Sequence, residues 1–527
     1  MFPTKSLERQ LSAALTLDLA DLVEAFDRRF GSDTLSLTEL RAFATEHGLS
    51  PLELAFVAQA CADRHKNGWV STAPAILERE VLALVDVSLR AVEVGRKQPR
   101  KLKVLTRSWT PRLAGSRLLG AAGKAHIDAI AIQEFCAGGG LVRADPTCGA
   151  TGAIPGAQSA LREASGVDLD LLAASSLVAG LVGCVAFSRG PVSGAQSGCA
   201  GEVGVAVAEA AAEAAWLFDG RWDDIDAAVA FGAGAYVGLE CSPTGGFVEM
   251  PCVPRNGFGA QWAILSGELA IAGHRPEFSA DEALDAIFGI GALLPASLRE
   301  TESGVWAAQW LAPREGEGLR GRRLKHDSLE SCLDQLESSA EMRRGDASSS
   351  SLLGAAGRSA HQAFRSILSG SEGSESAVSA AVEALSSELG AGPEQQRRAR
   401  AAAELIEAVV RERGTTRAPN PGWGHGAGVV AAQAAAAASM LLGGGWDELD
   451  AAAALATTSF VTVDAGSVLS GAPFRFAFAA LAGVTAAVMA RDGIRGEALP
   501  HDFDDCLDRL LGVARSVEVV DSGPFSV

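Results

Sequence analysis

The sequence is poor in aromatic residues and in basic charge. Aromatic residues make up 6% of the 527 positions, with a single Tyr among them, so a large core has to consist mainly of Ala, Leu and Val. Lys and Arg number 45 against 64 Asp and Glu, which gives a formal net charge of −19. Because nucleic-acid binding needs clustered basic side chains facing the phosphates, we expect no nucleic-acid partner.

The sequence also lacks a long, unbroken apolar run. Two apolar stretches, Val429 to Leu442 and Phe474 to Met489, are short, Ala-rich and interrupted by polar residues or Gly, whereas a membrane-spanning helix needs about 20 strongly apolar residues. We interpret both as buried helices of a soluble protein and expect no membrane partner. The first residues show no secretory signal, and nine Cys fit a reducing compartment. We therefore predict a cytoplasmic location.

Ala-rich apolar stretches predict an all-α fold, because Ala favours close-packed helices over sheets. Ser36 and Ser50-Pro51 resemble helix starts, and Gly48 resembles a helix end. The length allows two or three domains. We predict a principal helical domain over residues 1–312, a polar linker over 313–350 and a second helical unit over 351–527.

Three sequence pairs indicate that the second unit is a degenerate copy of part of the first. The pairs are LLGAAGKAH at 118–126 with LLGAAGRSAH at 352–361, GCAGEVGV at 198–205 with GWGHGAGV at 422–429, and GRWDDIDAA at 220–228 with GGWDELDAA at 444–452. The offset is 234 residues for the first pair and 224 for the other two. Trp423 and Ala465 stand where Cys199 and Cys241 would repeat. We expect a homodimer or a monomer whose two halves mimic a dimer.

Three Gly-rich segments carry the candidate chemistry: 144–156, 193–204 and 239–260. They contain Cys199, Cys241 and Cys252, separated by 42 and then 11 residues. This spacing matches neither a C-x₂-C zinc ribbon nor a ferredoxin motif. From the residues alone, the three Cys could ligate an iron–sulfur cluster, ligate zinc or fill a core.

The same segments resemble the α domain of the iron–sulfur L-serine dehydratases. That family has Gly-Cys-x-x-Glu-Val-Gly, Cys-x-Pro-x-Gly-Gly-x-Val and Pro-Cys-x-x-Arg-Asn motifs, which appear here at 198–204, 241–248 and 251–256. The resemblance runs from about Ser36 to Gln309, and it includes the segment 291–307. It implies a helical fold in which Cys199, Cys241 and Cys252 ligate a [4Fe–4S] cluster.

The resemblance implies a pyridoxal-independent dehydratase that acts on L-serine or a related β-hydroxy amino acid. Three ligands on four irons leave one iron open, which can act as a Lewis acid on the β-hydroxyl. Loss of the α-proton and of water gives an enamine, which hydrolyses to a 2-oxo acid and ammonia. The alternatives are a related lyase that expels a thiol, such as a cysteine desulfidase, and a non-catalytic iron–sulfur sensor or scaffold.

Further site residues follow from the same comparison. The expected substrate-binding residues are Pro146, Thr147, Gly149, Gly152, Gly194, Arg255 and Asn256; the last two could instead stabilise their loop. Candidates for proton transfer or catalysis are Ser193, which the resemblance places before the first ligand, and three residues of the repeated segments that the resemblance does not assign: Lys124, His126 and His425. We interpret Glu202 as a carboxylate beside the ligands or as a helix cap.

The sequence departs from the family in two places. A Ser-Ser-Ser-His-Thr segment that helps bind substrate has no counterpart here, and residues 107–112 replace a Ser-Gly-Leu-Thr-Gly-Gly stretch. A bulkier β-hydroxy amino acid is therefore an alternative substrate, and Trp109 or Trp423 could line its pocket.

Overall fold

The structure, a computed structural model, describes most of the chain in several stretches. These are residues 3–31, 34–98, 121–301, 373–417, 427–458 and 473–494, with isolated positions at 102, 108–110, 113, 304, 358–360, 362–363, 503 and 506. Over these residues the protein is built from helices and has no strand longer than a single bridge. The predicted all-α fold is confirmed. The proposed linker over 313–350 lies outside the described residues, and the domain division stays a prediction.

The N-terminal part contributes fourteen of the described helices. They are α1 Thr4–Leu15, α2 Ala20–Phe30, α3 Leu37–His47, α4 Pro51–Asn67, α5 Ala73–Ile76, α6 Leu82–Lys97, α7 Ala121–Ala137, α8 Ala153–Ser165, α9 Leu169–Arg189, α10 Gly194–Cys199, α11 Val205–Leu217, α12 Trp222–Gly234, α13 Cys252–Ile271 and α14 Ala280–Leu293. Short π-helical turns precede α6 and α11, over Leu77–Val81 and Ala200–Gly204.

Five further helices are described in the C-terminal part. They are α15 Gly373–Leu389, α16 Pro393–Arg417, α17 Ala427–Leu441, α18 Trp446–Thr458 and α19 Pro473–Arg491. The two apolar stretches noted above fall in α17 and α19, and their described side chains are buried. Their interpretation as buried helices is confirmed.

The predicted helix signals near the N-terminus are confirmed by the backbone. The Ser36 side chain accepts from the Glu39 N–H at the start of α3, and Gly48 ends that helix in the left-handed conformation at φ 68°. Ser50 and Glu53 form a capping box, with Pro51 as the first residue of α4. Each contact satisfies a backbone group that the helix itself leaves unpaired.

Helices α11 and α13 form the centre of the N-terminal part. Nearly every side chain of both is buried, and about half of their residues are Ala, Val or Gly, so the helix axes can approach closely. Trp216 and Trp262 fill the remaining space, and the Trp262 indole N–H donates to the Phe231 carbonyl at 3.0 Å. This central layer carries the Cys residues at its edge.

Helix α9 lies between that centre and the N-terminal helices α1, α3 and α4. It is the one helix in the described ranges that is both long and apolar enough to cross a membrane, and 72% of its most apolar window is buried inside the protein. At its end, Arg189 donates to Asp281 and Asp285 of α14. Asp281 in turn accepts from the N–H groups of Leu37 and Thr38. These contacts tie α3 and α9 to α14.

We predict that Ser279→Ala lowers the thermal midpoint of unfolding. Ser279 caps α14: its hydroxyl accepts from the Glu282 N–H, and Glu282 accepts from the Ser279 N–H. Loss of such a cap costs about 1 kcal/mol. Thr45→Ala, at an exposed position in the last turn of α3, is the control and should change stability by less than about 0.5 kcal/mol. Equal midpoints for both variants would contradict the prediction.

Candidate metal centre

The three predicted Cys ligands come from three separate segments. Cys199 is the last residue of α10, Cys241 lies in the loop after α12, and Cys252 is the first residue of α13. Gly198 turns the chain just before Cys199 at φ 68°, and a Cβ there would lie 2.6 Å from the Leu239 carbonyl oxygen. A glycine is therefore required for the chain to reach this position.

The structure buries all three thiols: Cys199 and Cys241 lie side by side, and Cys252 is near enough for the charge of Cys199 to act on it. All three side chains are essentially inaccessible, at 0%, 1% and 2% exposure for Cys199, Cys241 and Cys252. The Sγ atoms of Cys199 and Cys241 and a carboxylate oxygen of Glu202 lie within 4.8 Å of one another. The contact with Cys199, and then burial, raise the pKa of the Cys241 thiol well above its usual range. Burial, and then the charge of Cys199, do the same for the pKa of Cys252.

This donor set fits a thiophilic metal centre. A Cys side chain binds a metal as its thiolate. Three thiolates held close together out of water repel one another unless a cation compensates their negative charge. The raised pKa values of Cys241 and Cys252 express that repulsion and the loss of water. The pocket therefore has the soft ligands of an iron–sulfur or zinc site.

Glu202 places a carboxyl group beside the cysteines. Its Oε2 lies 3.9 Å from Cys241 Sγ, and its Oε1 accepts a hydrogen bond from the Thr147 hydroxyl. Burial raises the pKa of Glu202 to about 7. This carboxyl group can therefore hold or release a proton near neutral pH. A role as a carboxylate beside the ligands fits these contacts better than a helix cap.

Gly194 leaves a small cradle between the cysteines and two acids. A Cβ on Gly194 would lie 2.7 Å from Cys241 Sγ and 2.9 Å from carboxylate oxygens of both Glu202 and Glu300. The Glu300 N–H donates to the Gly194 carbonyl at 3.2 Å, and burial raises the pKa of its side chain. Glu300 was not predicted from sequence, although it lies in the segment 291–307 that resembles the family.

Asn256 holds the loop that was expected to bind substrate. Its Nδ2 donates to the carbonyls of Gly149 at 2.8 Å and Cys252 at 3.0 Å, and its Oδ1 accepts from the Gly152 N–H at 3.0 Å. The loop from Pro146 to Gly152 is thus fastened to the start of α13. These contacts assign Asn256 to loop stabilisation, one of its two predicted roles.

Arg255 is fully buried, and its guanidinium contacts protein groups. It donates to the carbonyls of Thr458 at 2.9 Å and Glu240 at 2.7 Å, and to Glu240 Oε1 at 2.8 Å. Its Nη1 also lies 3.4 Å from Cys199 Sγ. Glu240 and Thr458 were not predicted from sequence, because neither belongs to a recognisable motif.

The remaining candidates lie in different places. Ser193 precedes α10, and its carbonyl accepts from Gln196 and Ser197. Lys124 pairs with Glu163 at 2.8 Å, on the outer side of α7 and α8.

His126 lies in a core contact rather than among the described contacts of the cysteine pocket. It is fully buried against Phe258, with its Nε2 3.0 Å from Met489 Sδ, and burial lowers its pKa to about 4. A catalytic role for Lys124 or His126 stays a prediction. His425 and Trp423 lie outside the described residues. Trp109 is fully buried, and its backbone N–H donates to Glu134.

Two more carboxyl groups are buried on α11, beyond the pocket. The Glu213 Oε1 accepts from Ser175 at 2.5 Å and from Gln158 at 2.8 Å. Burial raises the pKa of Glu213 to about 7 and that of Glu209 to about 8. Both side chains therefore keep their proton to a higher pH than an exposed Glu does.

Comparisons with known proteins match the part of the chain that holds this pocket. The family model described as serine dehydratase alpha chain matches residues 57–307. A probable L-serine dehydratase, alpha chain, from Bacillus subtilis (strain 168) is 36% identical over 196 residues, which is 37% of this chain and 64% of that protein. A protein of the same name from Latilactobacillus sakei is 37% identical over 181 residues, 34% of this chain and 87% of that protein.

A longer relative is matched over a smaller share of its length. L-serine dehydratase 1 from Escherichia coli (strain K12) is 33% identical over 178 residues, 33% of this chain and 39% of that protein. The chain thus spans just under two thirds of the Bacillus relative and well under half of the Escherichia relative.

We predict that Gly152→Ala destabilises the protein, because a Cβ there would lie 2.8 Å from the Ala129 carbonyl oxygen and from Asn256 Cβ. Overpacking of this kind costs about 1–3 kcal/mol. Gly180→Ala is the control: it is the same substitution at an exposed helix position with nothing within 4 Å, and it should stabilise by up to about 1 kcal/mol. If Gly152→Ala and Gly180→Ala shifted the thermal midpoint of unfolding in the same direction, the packing explanation would be contradicted.

We predict that stability falls as the pH rises through neutrality and that Glu213→Gln reduces this fall. The folded pKa of Glu213 is raised from 4.5 to about 7. The folded state therefore binds a proton that the unfolded state releases, and its stabilising effect, complete below about pH 4.5, is lost as the pH rises to about 7. Gln keeps the same shape without the charge.

The measurement is the thermal midpoint of wild type and variant at about pH 5 and about pH 8. Glu282→Gln is the control, because its carboxyl pKa is lowered by the contacts with Ser279, so its effect should be equal at both pH values. An unchanged pH dependence in Glu213→Gln would show that this carboxyl group does not titrate in the range.

Proposed function

The chain belongs to the serine dehydratase alpha chain family, and from this membership we propose that it is a [4Fe–4S]-dependent, pyridoxal-independent dehydratase. Its substrate is L-serine or a related β-hydroxy amino acid, which it converts to a 2-oxo acid and ammonia. The observation that carries this proposal is the convergence of three buried Cys thiols from separate segments, beside the glycine cradle at Gly194 and the carboxyl group of Glu202.

Cys199, Cys241 and Cys252 would hold the cluster as thiolates. When bound, a cluster with three protein ligands supplies an open iron that acts as a Lewis acid toward the β-hydroxyl of the substrate. Because Gly194 has no side chain, it adds no atom to the space between Cys241, Glu202 and Glu300.

The loop from Pro146 to Gly152 would orient the substrate carboxylate. Asn256 already uses the Gly152 N–H, so we assign the carboxylate contact to the first turn of the loop, Thr147 to Gly149. Thr147 also holds Glu202 through its hydroxyl. Thr147 therefore couples the orientation of the substrate to the position of the Glu202 carboxyl group.

Glu202 is the group that we assign to proton transfer. Its pKa of about 7 lies near the working pH, which is the most effective value for a general acid or base. The α-proton is removed, the β-hydroxyl leaves as water, and the enamine then hydrolyses. Ser193 lies at the start of the same segment, where its backbone sets the position of Gly194 and Cys199.

We propose a cytoplasmic enzyme with a small-molecule substrate and no nucleic-acid or membrane partner. The net charge of −19 supports the absence of a nucleic-acid partner. The burial of α9 fits a core helix of a soluble protein. Within the described residues, the C-terminal helices pack directly on the part that holds the pocket.

We predict that anaerobically purified protein contains about four irons and four sulfides per chain and releases pyruvate from L-serine. Cys199→Ala, Cys241→Ala and Cys252→Ala should each lose the cluster and the activity, because each removes one thiolate ligand. Iron and sulfide assays, the absorption spectrum and pyruvate production are the measurements.

Cys184→Ala is the matched control. Cys184 is exposed on α9, so its removal should leave iron content and turnover unchanged. Sulfide release from L-cysteine without pyruvate from L-serine would indicate a desulfidase. A bound cluster without turnover of any amino acid would indicate a sensor, and protein that takes up no iron after reconstitution would overturn the cluster assignment.

A further inference from the structure

The five C-terminal helices repeat five helices of the cysteine-containing part. Apart from the α15–α16 pair, helices α15 to α19 pack on one another in the same pairs as α8, α9, α11, α12 and α13 do. Helices α12 and α18 have 13 residues each, and both their first and last residues are 224 positions apart. This is the offset between the two WD-containing sequence motifs within these helices.

The helix ends repeat in detail. After α11, the N–H groups of residues 218, 219 and 220 donate to the carbonyls of 214, 216 and 215; after α17, residues 442, 443 and 444 donate to 438, 440 and 439 in the same pattern. Asp219 and Gly443 share a left-handed backbone, at φ 66° and 76°. The same bonds also close α7 at residues 138–140, so this common type of helix end agrees with a duplication but is not specific to it.

Helices α13 and α19 show the same correspondence at an offset of 220 residues. After each, three N–H groups donate in matching order, and Gly273 and Gly493 have φ of 88° and 101°. The offset equates Arg255 with Arg475 and Phe258 with Phe478. Cys252 corresponds to position 472, where the sequence has Ala.

The two sets face each other as the halves of a two-fold dimer do. Helix α13 contacts α18 and α19, while α19 contacts α12 and α13. This exchange of equivalent elements is the signature of an isologous interface. Thr485 donates to Gln261 Oε1 at 3.1 Å, and the Phe478 ring packs on the rings of Tyr236 and Trp262.

One contact across this interface reaches the cysteine pocket. Helix α18 ends at Thr458, whose carbonyl accepts from the Arg255 Nε at 2.9 Å. The other side of the guanidinium binds Glu240 and lies 3.4 Å from Cys199 Sγ. The C-terminal set therefore touches a metal ligand through one intervening side chain.

We propose that the C-terminal helices are a Cys-free second copy that acts as a permanent partner and positions Arg255 against Cys199. The part of this inference that concerns a bound cluster rests on the proposed function. Arg255 is then a positioning residue rather than a contact to the substrate carboxylate, because its donors are directed at Thr458, Glu240 and Cys199. Hydrogen bonds to cluster sulfurs raise the reduction potential, so loosening the interface should lower it.

The test compares Phe478→Ala with Phe43→Ala in the full-length protein. Both remove a buried Phe, but Phe478 lies at the proposed interface, whereas Phe43 packs on Phe26 and Phe30 in the N-terminal helices. The first readout is the alkylation rate of Cys199 and of Cys61 in metal-free protein, measured by mass spectrometry. Cys61 is buried beside Asp27 of α2 and reports on the N-terminal helices.

We expect Phe478→Ala to raise the alkylation rate of Cys199 about tenfold and to leave Cys61 unchanged, since local opening depends on local packing. Phe43→Ala should raise the alkylation rate of Cys61 and leave that of Cys199 unchanged. The second readout is the reduction potential of the reconstituted cluster. It should be lower than in wild type in Phe478→Ala and in Arg255→Gln, and near the wild-type value in Phe43→Ala. Arg255→Lys should recover part of the loss seen in Arg255→Gln.

The outcomes separate this inference from the proposed function. The positioning role would be overturned if both Phe substitutions changed the alkylation rate of Cys199 equally. It would also be overturned if Phe478→Ala left that rate unchanged. A Phe478→Ala variant with faster Cys199 alkylation but the potential of wild type would also overturn it. If the wild type takes up no cluster, the proposed function fails, while the alkylation rates in metal-free protein still decide whether the interface supports Cys199.

Discussion

The buried guanidinium of Arg255 connects several segments of the described structure that are far apart in sequence. It joins α13, the loop after α12 and the end of α18, and it lies against one of the three thiols. Its partner Glu240 is as inaccessible as Arg255 itself. A buried charge that loses its partner destabilises a protein by about 3–5 kcal/mol, so the segments around Arg255 are held in a common arrangement.

Close packing of small residues makes that arrangement possible. The central helices are rich in Ala and Gly, and glycines at 152, 194 and 198 stand where a Cβ would meet backbone, sulfur or carboxylate atoms within 3 Å. The loops can therefore approach the cysteines with their backbones. The same small residues allow the C-terminal helices to lie directly on α13.

The electrostatics of the pocket are unfavourable without a cation. Three buried thiols and the buried Glu202 lie close to the partly buried Glu300, and the pKa values of Cys241, Cys252, Glu202 and Glu300 are all raised. Arg255 offsets part of this negative charge. A site whose acids are held close to one another in this way is typical of metal binding and of proton transfer near neutral pH.

The sequence by itself determined the helical class, the helix boundaries near Ser36 and Ser50, and the three Cys segments. Those features follow from local rules: capping residues, Ala-rich periodicity and glycines beside a reactive side chain. It also identified the loop at 146–152 and Asn256, because both lie in motifs. The WD-containing pair at 220–228 and 444–452 has the same 224-residue offset as the first and last residues of helices α12 and α18.

Only the tertiary structure decided which side chains meet. Glu300 and Glu240 join the pocket, and Thr458 contacts Arg255 from 203 residues away. Glu240 and Thr458 lie outside the motifs, and nothing in the matching segment 291–307 marks Glu300 among its other residues. Lys124 and His126 looked equally suitable in sequence, but one lies in a surface ion pair and the other in a core contact. The physical reason is that helix formation depends on neighbours along the chain, whereas pKa values and ligand geometry depend on neighbours in space.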